Sequence, residues 1–352
     1  MQEAGMELLS HYRDRAIMGL VEVIKNIRTI RGFMQQAKRD IQKYRPEKVV
    51  FIDNPGFNLP LAKFAKKLGI EVHWYIAPKA WAWNERRIKT MRKCIDHLYV
   101  IFPFEPDFFA SRGMKSVYVG NPTLESVVRY RKLREEQGIG LNHNPSKTHG
   151  EFSSIALLAG SRKAEVASLL PVFIKTALRK LSTEGCSTGG IRIAAAPGLS
   201  QEFYRDILER HQLLDLWETG RIKIEFNNTF NILHETAVDG GFALVASGTA
   251  TLETALLGCP QIVAYQVNPL TYWVASKVLK IQYVSLVNIL LKRLAVEEHL
   301  KVVSEDILLA AIERLESNRE RVLKDYRELE AQLQGEYEEF ASERVARLIV
   351  GV

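Results

Sequence analysis

The sequence predicts an α/β protein made of two doubly wound halves, each a parallel sheet covered by helices on both faces. Short apolar runs alternate with segments of helical periodicity along most of the 352 residues, which is the pattern of parallel sheets. The polar stretch 134–152 has neither period, and the alternation restarts after it. A composition of 47% hydrophobic and 25% charged residues is typical of a globular chain that is long enough for two domains.

The first half, predicted as a domain over residues 1–145, contains a β-α-β unit. An apolar run ends in Asp53, residues 60–69 have helical spacing closed by a glycine, and a second apolar run follows. The predicted strands of this half are 47–53, 70–78, 97–103 and 116–122.

The second half is predicted as a domain over residues 151–320. Its predicted strands are 153–160, 190–197, 222–226, 242–248 and 260–266. From about residue 304 the chain is rich in Glu, Arg, Leu and Ala at helical spacing, which indicates amphipathic helices. We expect the helices of residues 321–352 to pack back on the first domain.

Several classes of protein are excluded by the composition. Cys94, Cys186 and Cys259 are far apart and form no CxxC pair, so neither a disulfide framework nor a zinc cage is predicted. No stretch reaches the ~18 apolar residues of a membrane-spanning helix. Apart from His73, the other seven histidines are scattered without a ligand spacing, so we predict no metal. No cofactor is predicted either. A cytoplasmic location fits these features.

The formal charge of +7 indicates an anionic partner. Nucleic acid, phospholipid head groups and a phosphorylated substrate all fit, and charge does not choose among them.

The stretch "VASGTATLETALLGCP" (245–260) has the form of a strand, a small polar loop and a helix. Ser247, Gly248 and Thr249 would present N–H groups and hydroxyls to a phosphate at the helix N-terminus. Glu253, one turn further, could accept hydrogen bonds from ribose hydroxyls. Alternatively, Ser247 or Thr249 caps the helix and Glu253 completes a capping box.

The stretch "LLAGSRKAEV" (157–166) repeats this arrangement, with Arg162 just after a Gly160–Ser161 turn. A guanidinium at a helix start can bind a phosphate through two N–H groups. The alternative is a surface arginine paired with Glu165. Two such turns in one half favour a nucleotide diphosphate as the ligand.

Asp53 follows an apolar strand, at the edge where open α/β sheets bind their ligands. A carboxylate there can act as general base on a sugar hydroxyl. Its alternative role is to cap the loop before the next helix.

Two further segments have more than one interpretation. Residues 73–89 place Trp74, Trp81 and other aromatic residues beside basic ones, which suits sugar rings, acyl chains or single-stranded nucleic acid. His73, on the same segment, is interpreted as a core histidine rather than a catalytic one. Residues 16–39 form a basic amphipathic segment that could lie in a membrane interface or form a core face.

Eight stretches in the same order resemble the lipid-A-disaccharide synthase family, inverting glycosyltransferases of bacterial lipid A assembly. They are "AIMGLVEV" (16–23), "FIDNPGFNLPLA" (51–62), "WAW" (81–83), "FPFEPDFF" (102–109), "GSRKAEV" (160–166), "ASGTATLETALLGCP" (246–260), "NPLTYWVAS" (268–276) and "YVSLVNILL" (283–291). The resemblance implies a GT-B fold, in which two Rossmann-like domains face a cleft. It also implies the joining of UDP-2,3-diacylglucosamine to 2,3-diacylglucosamine 1-phosphate (lipid X) with release of UDP.

The resemblance assigns roles to the residues singled out above. Asp53 becomes the general base and Arg162 a catalytic residue of the UDP site. The UDP-sugar site would comprise Ser161, Arg162, Ser247, Gly248, Thr249, Glu253 and Asn288. A membrane patch would comprise Val21, Val23, Ile24, Ile27 and Ile30. The resemblance implies no metal and no nucleic-acid partner. It places the protein at the anionic inner face of the cytoplasmic membrane. Both a homodimer and a monomer remain open.

The chain also departs from the family pattern. A strand and a glycine-rich loop precede the stretch that matches Met1 in the family, so we expect the first domain to lack a strand and to expose apolar edges. Gly56, Asn121 and Val287 stand where the family usually has Asp, His and Pro. Two alternatives to the family activity therefore stay open: another GT-B UDP-sugar transferase of cell-envelope synthesis, and a catalytically impaired membrane-surface homologue.

Overall fold

The structure, a computed structural model, describes residues 5, 7–9, 27–82, 84–138, 154–183, 190–246, 248–266, 282–300, 303–335 and 339–351. The chain divides into two compact units. Unit 1 comprises Met1–Ala80, Asn84–Val100 and Pro106–Val117, and unit 2 comprises Trp81–Trp83, Ile101–Glu105 and Tyr118–Val352.

The chain up to Tyr118 supplies a four-stranded sheet with the strand order β1-β2-β3-β4. Its elements are α1 (Ile27–Tyr44), β1 (Lys48–Ile52), α2 (Pro55–Lys67), β2 (Glu71–Tyr75), α3 (Arg87–Cys94), β3 (His97–Val100), α4 (Glu105–Ala110) and β4 (Val117–Tyr118). Strands β1, β2 and β3 pair in parallel, as the β-α-β pattern predicts.

Burial differs between β1 and β2. Val72, His73 and Trp74 of β2 are all buried, and α2 packs against this strand. On β1, Val50 and Ile52 alternate with the buried Phe51 and are 41% and 40% exposed. Within the described residues β1 is an edge strand, so this edge carries exposed apolar side chains.

Unit 2 contains a six-stranded sheet with helices between its strands. Its elements are α5 (Pro122–Glu136), β5 (Ser154–Leu158), α6 (Lys163–Thr183), β6 (Gly190–Ala195), α7 (Gln201–Arg210), α8 (Leu214–Glu218), β7 (Ile222–Phe226), α9 (Thr229–Val238), β8 (Phe242–Ala246), α10 (Thr249–Leu256), β9 (Gln261–Ala264), α11 (Leu286–Leu291), β10 (Glu297–His299), α12 (Glu305–Ser317), α13 (Arg319–Gln334) and α14 (Ala341–Val350).

The strand order of this sheet is β10-β9-β8-β5-β6-β7, and its pairs are parallel. When β5 is counted as the first strand and the sheet is followed from β7 to β10, the strand order is 3-2-1-4-5-6. This is the strand order of a Rossmann fold. Every residue of β5, β8 and β9 is buried, because helices cover both faces of a doubly wound sheet. The predicted α/β class with two Rossmann-like parts is confirmed.

The C-terminal helices pack on α5, which the predicted boundaries place in the first domain. Ser342 at the start of α14 donates its N–H and its hydroxyl to the Glu125 carboxylate, at 2.9 and 2.5 Å. On α13, Glu330 pairs with Arg131 at 2.5 Å. Among the described helices, none is both long and apolar enough to span a bilayer.

Candidate functional site

A cavity of about 730 Å³ opens at the carboxyl ends of the strands of the six-stranded sheet. Its walls follow β5, β6, β7 and β8. The chain order reverses between β5 and β8, and an open α/β sheet binds its ligands at such a switch point. The volume lies in the range of small-molecule sites. Of the predicted residues, Ser161, Gly248, Thr249 and Glu253 line this cavity, together with Gly160.

The turn after β5 depends on Gly160. Its φ of +111° is unfavourable for other residues, and a Cβ there would lie 2.8 Å from Glu165 Oε2. The Glu165 carboxylate accepts a hydrogen bond from the Ser161 N–H at 3.3 Å. An anion of the protein itself therefore contacts the N-terminus of α6, where the sequence predicts a phosphate.

Arg162 lies beside this turn with its side chain 55% exposed and donates to Glu165 Oε1 at 2.5 Å. This is the ion pair that the sequence leaves open as an alternative. Burial lowers the pKa of Arg162, but Glu165 and Tyr265 together raise it above its usual value. Arg162 is therefore a charged group held at the rim of the turn, within a cluster that also contains a tyrosine hydroxyl.

The turn after β8 depends on Gly248, which has φ +139° and ψ −157°. That region is restricted to glycine. Thr249 begins α10 and is exposed at the cavity, whereas Ser247 lies outside the described residues. Burial raises the pKa of Glu253, and among the described residues no hydrogen bond or ion pair is made by its carboxyl group. A desolvated carboxyl in a cavity is a typical binding group.

The wall after β7 was not predicted from the sequence. Asn227, Asn228 and Asn231 line the cavity together with the two glycine turns. Asn231 Nδ2 donates a hydrogen bond to Asn228 Oδ1 at 2.5 Å, and Asn231 Oδ1 accepts one from the Tyr130 hydroxyl at 2.7 Å. The sequence did contain a signal for this wall, since two asparagines directly follow the predicted strand 222–226. The carboxyl ends of parallel strands lie at the same edge of a sheet, where ligands bind.

Asn288 does not line the cavity and is fully buried. Its Oδ1 accepts from the Ala295 and Val296 N–H groups at 2.8 and 2.9 Å. Its Nδ2 donates to Val296 O at 2.8 Å and to Glu298 Oε1 at 2.7 Å. All four hydrogen-bonding positions of the amide are used, so its side chain shapes the loop between α11 and β10.

Asp53 follows β1 in a left-handed conformation, with φ +46°. Its N–H donates to Tyr75 O at 3.0 Å and its carbonyl accepts from Asn58 at 2.9 Å, while its side chain is exposed. On the neighbouring strand end, Ile76 has φ +62°, an outlier for a β-branched residue. Two adjacent strand ends with strained backbone are typical of functional sites.

Of the three departures from the family pattern, Asn121 and Val287 make local hydrogen bonds, whereas nothing in the structure explains Gly56. Gly56 is exposed, and a Cβ there would meet only Asn54 Oδ1 at 4.0 Å. Asn121 caps α5, because its Oδ1 accepts from the N–H groups of Thr123 and Leu124 at 2.9 and 3.2 Å. The Val287 N–H donates to the hydroxyl of the α11 cap Ser285 at 3.1 Å, a bond that proline could not make.

The aromatic segment and the membrane patch are only partly described. Trp74 is fully buried and Trp81 donates to Glu105 at 3.0 Å, so both are packing residues. Of the membrane patch, Val21, Val23, Ile24 and the Ile27 side chain lie outside the described residues, and Ile30 is half-buried on α1.

The chain matches a known family along nearly its whole length. The family model described as lipid-A-disaccharide synthetase matches residues 1–350. A lipid-A-disaccharide synthase of Syntrophus aciditrophicus is 36% identical over 291 residues, which are 82% of this chain and 71% of that protein. One of Gluconobacter oxydans is 35% identical over 303 residues, 86% of this chain and 68% of that protein.

Solved structures share the fold at low sequence identity. A UDP-GlcNAc 2-epimerase from Neisseria meningitidis bound to UDP-GlcNAc has a TM-score of 0.57 and 12% identity, with 96% of this chain and 83% of that chain covered. A Methanocaldococcus jannaschii UDP-GlcNAc 2-epimerase in complex with UDP-GlcNAc and UDP has a TM-score of 0.55 and 16% identity, with 92% and 81% covered. The GT-B fold class is thereby confirmed.

Proposed function

Because this chain belongs to the lipid-A-disaccharide synthetase family and is a glycosyltransferase, we propose that it joins UDP-2,3-diacylglucosamine to 2,3-diacylglucosamine 1-phosphate. The products are UDP and a β-1,6-linked disaccharide 1-phosphate of lipid A synthesis. The observation that carries this proposal for the chain itself is the cavity at the switch point of the six-stranded sheet, with a glycine turn at each of two helix N-termini.

The UDP-sugar is proposed to bind in this cavity. The diphosphate would approach the N-termini of α6 and α10, where Ser161, Gly248 and Thr249 present N–H groups and hydroxyls. Ser247 completes this set in the sequence. Glu253 would accept hydrogen bonds from the ribose hydroxyls. Asn288 would contribute indirectly, by holding the loop between α11 and β10. The bound UDP of the M. jannaschii epimerase supports a nucleotide site in this fold.

Arg162 is proposed to stabilise the leaving group. The bond between the sugar C1 and the β-phosphate oxygen breaks, and negative charge grows on the diphosphate. A guanidinium that is already positioned beside the diphosphate stabilises this developing negative charge more than water does, because it need not reorient during the reaction. Glu165 holds Arg162 at 2.5 Å, so the arginine would exchange one anion for another.

Asp53 is proposed as the general base. It would take the proton of the acceptor 6-hydroxyl while that oxygen attacks C1 from the face opposite UDP, which inverts the anomeric centre. Its exposed side chain and the left-handed backbone at the end of β1 support this role.

The acylated substrates imply work at a lipid surface. We place the chain at the inner face of the cytoplasmic membrane, with Val21, Val23, Ile24, Ile27 and Ile30 as the apolar contact. The exposed Arg28 and Arg31 on α1 and the net charge of +7 support attraction to anionic lipid.

The deciding experiment measures UDP release from purified full-length chain with UDP-2,3-diacylglucosamine and the acylated sugar 1-phosphate in detergent. The expected result is UDP release that requires both substrates. Release with UDP-GlcNAc and no acylated donor would favour another GT-B transferase. Liposome binding without UDP release from any donor would favour an impaired surface-binding homologue.

A further inference from the structure

Three potential metal ligands lie together on the four-stranded sheet, in unit 1. Glu71 and His73 are two residues apart on β2, and His97 on β3 is the register partner of His73, so the three share one face. Their ligand atoms all lie within 4.8 Å of one another. Glu71 Oε1 is 2.8 Å from His97 Nε2 and 3.3 Å from His73 Nε2.

His73 has one ring nitrogen without a hydrogen-bond partner. Its side chain is 1% exposed, and Nε2 makes no hydrogen bond in the part of the chain that the structure describes. The other nitrogen, Nδ1, lies 2.9 Å from the Tyr99 hydroxyl. A buried polar atom without a hydrogen-bond partner is rare and energetically costly, so the state of Nε2 indicates that a ligand binds there.

The surroundings of His73 match those of a metal-binding histidine. Such a residue generally donates its second N–H to a neighbour, which sets the tautomer and the ring orientation. If Nδ1–H donates to the Tyr99 hydroxyl, the Nε2 lone pair faces the Glu71 carboxylate 3.3 Å away, and a cation between the two acceptors would satisfy both of them. Tetrahedral ligands at 2.0–2.1 Å from zinc are themselves about 3.3 Å apart.

We propose that Glu71, His73 and His97 form a binding site for one zinc-type divalent cation that links β2 to β3. Two imidazoles and one carboxylate suit Zn²⁺, whereas Mg²⁺ and Ca²⁺ prefer oxygen ligands. His97 and Glu71 are 48% and 39% exposed, which leaves a route for entry.

The site lies away from the proposed chemistry. Asp53 follows the carboxyl end of β1, whereas Glu71 and His97 are the first residues of β2 and β3. The cation would therefore stabilise unit 1 and take no part in glycosyl transfer. This inference does not depend on the proposed function.

Equilibrium dialysis of the full-length chain, first treated with a chelator, tests the site with ZnCl₂. We expect one saturable Zn²⁺ per chain, a rise in Tm on zinc addition, and no such effect of MgCl₂. His97→Ala and Glu71→Gln change exposed ligands, so the fold should survive, and each should weaken zinc binding by at least roughly tenfold.

The matched controls are His211→Ala, an exposed histidine after α7, and Cys186→Ser, which removes a thiol as a competing ligand. Both should bind zinc as the unchanged chain does. Absence of saturable zinc binding would overturn the proposal, as would binding that survives both ligand substitutions or that is lost with Cys186. In that case His73 Nε2 and Glu71 share only a proton.

Discussion

Arg162 Nη1 and Glu165 Oε1 lie 2.5 Å apart at the start of α6, beside the Gly160–Ser161 turn that lines the cavity of the six-stranded sheet. The same carboxylate accepts the Ser161 N–H. The Glu165 carboxylate thus binds both of the donors, the Arg162 guanidinium and the Ser161 N–H, that we assign to the diphosphate.

Arg162→Ala should lower kcat by roughly 100-fold or more, because loss of one donor to developing charge typically costs about 3 kcal/mol. Arg162→Lys should restore little, since a point charge lacks the two-pronged contact. UDP-release kinetics measure both variants. The control is Arg210→Ala, an exposed arginine at the end of α7, which should keep the kcat of the unchanged chain. Equal rates in Arg162→Ala and the control would remove Arg162 from the site.

Asp53→Asn should lower kcat by about 100-fold or more while the fold stays intact, because general-base catalysis typically contributes 10²–10⁴. Asparagine is the informative change, since it tolerates the φ of +46°. Circular dichroism and UDP release are measured together. Asp107→Asn, at an exposed position of α4, serves as control. A kcat in Asp53→Asn close to that of the control would assign Asp53 a structural role.

Gly160→Ala should destabilise the turn after β5 and weaken UDP binding, because the added Cβ would lie 2.8 Å from Glu165 Oε2 at a φ of +111°. Strain of this kind costs of the order of 1–3 kcal/mol. Gly198→Ala, where a Cβ meets no atom within 4 Å, is the control next to the same cavity. UDP titration by calorimetry and thermal melting separate the two variants, and equal behaviour would show that the turn adapts.

Glu253 should make stability depend on pH. Burial raises the pKa of this carboxyl in the folded state, so the folded chain binds more protons than the unfolded chain between the two pKa values. Stability from this group is therefore present below the unfolded pKa and is lost as pH rises through the folded pKa. Glu253→Gln should raise Tm at neutral pH and flatten this dependence, while UDP binding weakens.

The control for Glu253 is Glu209→Gln, at an exposed position of α7, which should leave the pH profile of Tm unchanged. If the Tm of Glu253→Gln depended on pH in the same way as that of the control, burial of the Glu253 carboxyl would not destabilise the folded chain.

Replacement of Val21, Val23, Ile24, Ile27 and Ile30 by Ser should release the chain from anionic liposomes with little change in Tm, if water already contacts these side chains. If they are core residues, each change should cost about 2–5 kcal/mol and the first unit should unfold. Sedimentation with liposomes at low and high salt measures binding, and the charge-dependent part should fall with salt. Early melting of the serine variant would favour the core interpretation.

Much of the cavity lining could be predicted from the sequence, because each of its two glycine turns is a continuous stretch of the chain. Gly248, Thr249 and Glu253 follow one apolar strand, and Gly160 and Ser161 follow another, so the strand-turn-helix pattern marks both without knowledge of the sheet order. Asn288 shows the limit of this reasoning: it lies in a matching stretch, but its amide is fully used within its own loop.

The sequence by itself determined the fold class and the positions of the strands of the second half, because burial on both faces of a parallel sheet imposes long apolar runs with helices between them. Only the tertiary structure decided which strand ends become neighbours. The order β10-β9-β8-β5-β6-β7 brings Asn227 and Asn231 to the cavity, and the β2–β3 register places His73 beside His97. Both are contacts between segments distant in sequence, and they are set by strand pairing, which leaves no local periodic signal.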